Sequence, residues 1–91
     1  MKILVEEYQG TRVVDSYEFY IRCGLNEDNY GRWIASVIER SIPGKDYFED
    51  PELLKINPKV KKRYWFSSQF ACGLAFSTAT RFSLELRKWL V

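Results

Sequence analysis

Between Asn26 and Gly44 the chain carries its most regular pattern, and that pattern limits what the rest can become. Tyr30, Trp33, Ile34, Val37 and Ile38 recur at i, i+3, i+4, i+7 and i+8, the spacing of one apolar stripe on an α-helix. Arg32, Ser36, Glu39 and Arg40 take the other side. Asn26 is a capping residue, Glu27 and Asp28 suit the positive end of the helix, and Pro43-Gly44 stops it. A chain of 91 residues has room for a single core, so this stripe has to be one wall of it. Trp33 is therefore read as a core residue, not as a ligand contact.

The flanking segments supply what the stripe packs on. Ile3 to Val5 and the β-branched run from Thr11 to Val14, with Gly10 between them, predict a hairpin. Asp15 or Ser16 then caps a short helix that carries Tyr17, Tyr20 and Ile21 and stops at Gly24. Tyr47-Phe48 and Arg63 to Phe66 read as two further short strands. The loop between them, Asp50 to Lys62, is marked by Pro51 and Pro58 and reads as the most mobile stretch. Its Leu53, Leu54 and Ile56 are available to fold it back onto the body. Ser67 or Ser68 caps a third helix with Phe70, Ala71, Leu74 and Ala75 on one face. A fourth helix aligns Ala79, Phe82, Leu86, Trp89 and Leu90. The expected architecture is a single α+β domain over residues 1–91, ordered β-β-α-α-β-β-α-α, with two helix pairs packed on a small antiparallel sheet.

Much chemistry is excluded. There is no histidine, so neither the commonest general acid–base nor a Ser-His-Asp or Cys-His arrangement is available. Neither Gly-rich phosphate loop occurs. Cys23 and Cys72 have no metal or redox spacing and read as two buried thiols. The carboxylates at Glu27/Asp28 and Glu49/Asp50/Glu52 are read as solvated faces. No catalytic residue, metal site or cofactor is expected. No apolar run is long enough to cross a membrane, and Glu6 and Glu7 cut short the apolar start that a signal peptide would need, which points to a cytoplasmic protein.

Charge is distributed unevenly. Residues 1–30 hold three cations and six anions, and residues 31–54 hold three and five. Residues 55–91 hold eight cations against the single anion Glu85, an asymmetry that signals an anionic partner. The sequence "VKKRYWFSS" runs Lys61, Lys62 and Arg63 straight into Tyr64, Trp65 and Phe66. Alternation along a strand puts Tyr64 and Phe66 on one face, read as buried, and Trp65 on the other. The cations are equally compatible with phosphate contact and with a lysine-protected strand edge.

Both helix pairs have the economy of a helix-turn-helix. In the first pair, Glu27 and Asp28 at the start of the second helix would face phosphates, which is repulsive. In the second pair the following helix opens on Thr78, Thr80 and Arg81, which suits a groove better. The expected nucleic-acid-binding set is therefore Lys59, Lys61, Lys62, Arg63, Thr78, Thr80, Arg81, Arg87 and Lys88, with Lys55 near the same footprint.

Taken in order, Val13-Val14-Asp15, Tyr30 with Trp33-Ile34, Asp46-Tyr47-Phe48, Tyr64 to Ala71, and Arg87-Lys88-Trp89-Leu90 resemble the N-terminal domain of phage antirepressors of the AntA/AntB type. The likeness covers residues 12 to 91. It implies a phage or prophage protein of the bacterial host cytoplasm that opposes a repressor and helps switch on lytic genes. Two kinds of partner are compatible with that role. One is DNA, held by the basic surface. The other is a protein, either the phage repressor or a second copy of the chain in a homodimer, met through exposed aromatics without DNA contact.

Overall fold

The computed structural model describes residues 5–90. Strands β1 (Glu6–Tyr8) and β2 (Thr11–Asp15) form the expected hairpin. Tyr8 stands opposite Thr11, leaving Gln9 and Gly10 as the whole connection, and both have positive φ. A two-residue loop of this kind matches the twist of the strands it joins. The turn also decides the register, so the first strand is the polar Glu6–Tyr8 piece. Ile3 and Leu4, expected to begin it, lie outside the described residues. Val5 packs half-buried against the core.

Helix α1 (Ser16–Arg22) follows β2 without a linker, because the Asp15 carboxylate accepts a hydrogen bond from the Tyr17 amide at 2.9 Å. A 3-10 turn (Glu27–Asn29), capped by the Asn26 side chain, leads into α2 (Tyr30–Glu39). Strand β3 (Tyr47–Phe48), a one-turn helix α3 (Pro51–Leu54), strand β4 (Trp65–Ser67), α4 (Ser68–Thr78) and α5 (Arg81–Leu90) complete the order. Ser67 caps α4, its hydroxyl accepting from the Phe70 amide at 3.1 Å. The anticipated α+β arrangement is present, with α3 added inside the loop that read as mobile. Within that loop Leu53 and Val60 are buried, while Leu54 and Ile56 stay exposed.

The sheet is antiparallel in the order β1-β2-β4-β3, and its two faces are closed differently. Val14 and Phe66 face the main core with Phe19, Ile34, Val37, Ala71 and Leu86. Val13 and Trp65 face the other side, under Leu53 and beside Tyr8 and Phe48. Trp65 is thus covered by α3, and its indole N–H donates to Asp50 at 3.0 Å. The stripe on α2 packs as expected: Tyr30, Ile34 and Val37 are buried, with Trp33 and Ile38 against the same core. Each large side chain buried there contributes about 1.5–3 kcal/mol.

Helix α5 differs from its expected facing. Ser83, Leu86 and Leu90 are buried, while Phe82 and Trp89 stay 43% and 41% exposed. The cause is local. The Thr80 hydroxyl accepts from the Ser83 amide and the Ser83 hydroxyl accepts from the Thr80 amide, both at 2.9 Å. This reciprocal cap makes Ser83 polar in name only, so it turns inward and rolls the apolar face by one position.

Gly24 closes α1 at φ +78, and a Cβ built there would come 2.6 Å from the Phe82 ring. Gly44 has the same φ with nothing within 4 Å. Gly44→Ala should therefore cost about 1–2 kcal/mol from backbone strain alone. Gly24→Ala should cost more in urea unfolding, and adding Phe82→Ala should erase the excess. Equal losses for the two glycine variants would remove the α1–α5 contact.

Candidate nucleic-acid interface

The basic segment is held where β2 becomes α1. Asp15 uses one carboxylate oxygen as the α1 cap and gives the other to Arg63, whose Nε donates at 2.7 Å. A second Arg63 nitrogen also contacts that oxygen, and the guanidinium lies 5.3 Å from the centre of the Tyr17 ring. The next residues are tied as firmly. The Tyr64 amide donates to the Ser16 hydroxyl and the Ser16 amide donates to the Tyr64 carbonyl, both at 2.9 Å. Tyr30 donates to the Lys62 carbonyl at 2.7 Å and shares a 2.9 Å hydrogen bond with Ser16. Backbone from Lys62 to Tyr64 is thereby clamped onto α1 and α2.

This clamp corrects one expectation. Arg63, placed among the phosphate contacts, is only 8% exposed and committed to Asp15. Burial works against its charge, but the hydrogen bond and charge of Asp15 outweigh that and hold its pKa above the ordinary value. A buried guanidinium with its counter-charge in place is a fold element.

Lys59, Lys61 and Lys62 are exposed. Asn57 shapes the turn before them, its side chain accepting from the Lys59 amide at 3.1 Å, while Val60 is buried between the charges. Together the three lysines rim a depression of about 360 Å³ whose far wall is Tyr17, Glu27 and Gly31. Among the described residues, none of the three is in an ion pair, whereas Lys55 pairs with Glu52 at 3.0 Å. Glu27 sits against Tyr17, and burial together with this carboxylate raises the Tyr17 phenol. Glu27 thus stands exposed beside the lysines, on the wall of the same depression.

The other expected contacts lie apart from this group. Thr80 is half-buried and its hydroxyl is spent, capping α5 and donating to the Cys23 carbonyl at 2.8 Å. Thr78 is half-buried at the end of α4, and Arg81 is exposed at the start of α5. Arg87 stacks 5.0 Å over Phe76 and shares a second depression, of about 420 Å³, with Arg12. Arg12 precedes Asp15 by three residues on β2, about 10 Å along the strand, so it marks the opposite end of the sheet. Lys88 is exposed on the last turn of α5.

Sequence reading gave no functional weight to Arg12 or to the outer face of α2. There Gly31, Arg32, Ala35, Ser36 and Arg40 are all exposed. The signal was present, since these are the positions left over by the apolar stripe. What hid it was the assumption that Glu27 and Asp28 belong to the same helical turn. They form a separate 3-10 turn before α2.

Cys23 and Cys72 are free thiols. Burial pushes Cys23 from 9.0 up to about 12. Among the described residues, no group of three or more His, Cys, Asp or Glu side chains could hold a metal ion, and no helix is long and apolar enough to cross a membrane. Comparison with protein-family models, with curated proteins and with solved structures returns no match.

Two outcomes test this construction. Asp15→Ala strands the Arg63 charge and removes a helix cap, so it should cost about 3–5 kcal/mol in urea unfolding. Replacing Arg63 by Met in the same background should recover part of the loss. A cost near the ~1 kcal/mol of a cap alone would mean that the ion pair contributes nothing. The second outcome concerns pH. Burial raises Tyr30 above 10.0 and Cys23 above 9.0, so the folded state holds these protons more tightly than the unfolded chain. Their contribution is complete below those ordinary values and is lost as pH rises past them. Unfolding free energy should fall from about pH 9 upward, less steeply in Tyr30→Phe.

Proposed function

We propose that the chain is a regulatory domain of the phage antirepressor type that binds duplex DNA through Lys59, Lys61 and Lys62, acting in the cytoplasm of the bacterial host. The observation carrying this reading is that Lys59, Lys61 and Lys62 stand exposed and, among the described residues, outside any ion pair, next to backbone that Tyr30 and Ser16 clamp from Lys62 to Tyr64. Long flexible cations on rigid backbone contact phosphate at little conformational cost to the chain. The antirepressor assignment rests on the ordered sequence resemblance from Val13 to Leu90. Arg63 and Thr80 leave the expected contact set, since both are engaged within the fold.

A second reading follows from α5. Its exposed side carries Phe82, Leu84 and Trp89, with Leu84 44% exposed, and Phe76 stands out from α4. Exposed aromatic side chains are enriched in the core of protein interfaces, with charge at the rim, and here Arg81, Glu85 and Lys88 lie beside them. On this reading α5 meets the repressor or a second copy of the chain.

Anisotropy of labelled duplex DNA, titrated at low and moderate salt, separates the two. Binding should fall steeply with salt. Converting Lys59, Lys61 and Lys62 together to Ala should weaken binding to any sequence and flatten the log–log salt slope by roughly 2.7, at about 0.9 per phosphate contact. Arg12→Ala, at the other end of the sheet, should leave the slope unchanged. No binding at low salt would sink the DNA reading and leave the α5 surface as the interface.

A further inference from the structure

Helix α2 is the element closest to the lysines that also presents a face to solvent along its whole length. Its ten residues span about 15 Å, and a helix of this size fits the major groove. The inward side is fully used by Tyr30, Ile34 and Val37. The outward side is Gly31, Arg32, Ala35 and Ser36, followed by Arg40. Gly31 and Ala35 keep that surface low, and a Cβ built on Gly31 would meet nothing within 4 Å. Arg32, Ser36 and Arg40, spaced by four, rise from it as a polar and basic row. Arg40 leans back along the helix, its Nε donating to the Ser36 carbonyl at 3.3 Å. Glu39 is the one acid on the exposed side, in the last turn and away from the end that enters a groove deepest.

Between the end of α1 at Arg22 and the 3-10 turn at Glu27 there are four residues, with Gly24 at positive φ among them. With the 3-10 turn the whole connection from Arg22 to Tyr30 is seven residues, a longer link than the three or four of a helix-turn-helix, whose second helix reads DNA. Gly31 shares the depression rimmed by Lys59, Lys61 and Lys62, so the lysines flank the N-terminal end of α2. Helix α5, the favoured reader on sequence alone, is less suited. Its first turn is bound to α1 by the Thr80–Cys23 hydrogen bond and by Phe82 against Gly24, and its exposed side mixes Phe82, Leu84 and Trp89 with Arg81, Glu85 and Lys88.

Resting on the DNA-binding reading, we propose that α2 is the recognition helix: Arg32 and Ser36 contact base edges in the major groove, while Lys59, Lys61 and Lys62 hold the flanking phosphates. Arg32, at the third position of the helix, is the residue with the reach and the paired donors to engage a guanine through O6 and N7. Ser36, one turn on, accepts or donates to either kind of edge.

The test begins with selection of duplexes from a random library by the full chain. Wild type is then titrated against the enriched duplex, a shuffled duplex, and the enriched duplex with 7-deazaguanine in place of guanine. Arg32→Ala should lose on the order of tenfold to a hundredfold of preference for the enriched duplex. It should keep wild-type affinity for the shuffled one, and 7-deazaguanine should no longer matter to it. Ser36→Ala should lose a smaller part of the same preference. Circular dichroism should match wild type, since both positions are exposed. If both variants keep the wild-type preference, the reading face is elsewhere and the proposal is wrong. A library that yields no enriched sequence also overturns it, while leaving phosphate binding by the lysines intact. Failure of wild type to bind any duplex would end both readings, and the first titration would already show it.

Discussion

One carboxylate organises this domain. Asp15 ends the central strand β2, caps α1 and receives Arg63 from a segment 48 residues away in sequence. These roles are mutually dependent. The cap fixes the start of α1 and so sets where Ser16 points; Ser16 pairs with the Tyr64 backbone in both directions. That pairing carries the chain into β4, which completes the middle of the sheet. An ion pair of this kind is weak evidence for net stability, because desolvating two charges offsets much of their attraction. Its value here is positional: any other placement of Arg63 would bury a charge without a partner or pull the strand out of register.

Local features were legible in the sequence wherever the cause was local. The stripe on α2, the stop at Gly24, the cap at Ser67 and the opposed facing of Phe66 and Trp65 all follow from spacing or from one residue's backbone preference. Arg63 was not legible, because its partner lies across the sheet and nothing near it in sequence announces burial. The roll of α5 had a readable cause in Thr80 and Ser83, a cap in which serine replaces the usual glutamate. Periodicity favoured Phe82 over Ser83 because it counts hydrophobicity without asking whether a hydroxyl is already satisfied. Helix α3 is a single turn and left too short a pattern to see, although Asp50-Pro51 is a sound helix start.

The fold also changes the meaning of the charge asymmetry. Eight cations in residues 55–91 look like one basic region in the linear chain, yet three-dimensional neighbours are different. Lys55 is paired with Glu52, Arg63 is buried with Asp15, and Arg87 turns to Phe76 beside Arg12. What remains together is Lys59, Lys61 and Lys62. Arg32, which follows Gly31 of the lysine-rimmed depression on α2, comes from a segment whose summed charge is negative. A count by sequence window could not have joined these two, since the join is made by Tyr30 reaching the Lys62 carbonyl.

The two surfaces left over by packing differ in kind. Along α2 the exposed positions are small, polar or charged, with no large apolar side chain, whereas along α5 they include Phe82, Leu84 and Trp89. Thr80 and Gly24 connect the helices that carry these surfaces, through a hydrogen bond to the Cys23 carbonyl and the seat of the Phe82 ring. A partner that draws Phe82 out of that seat would loosen the turn that orients α2. Occupancy of one surface would then alter the geometry of the other, without any long-range pathway. The adjacency of the two surfaces arises from one glycine that leaves room for one aromatic ring.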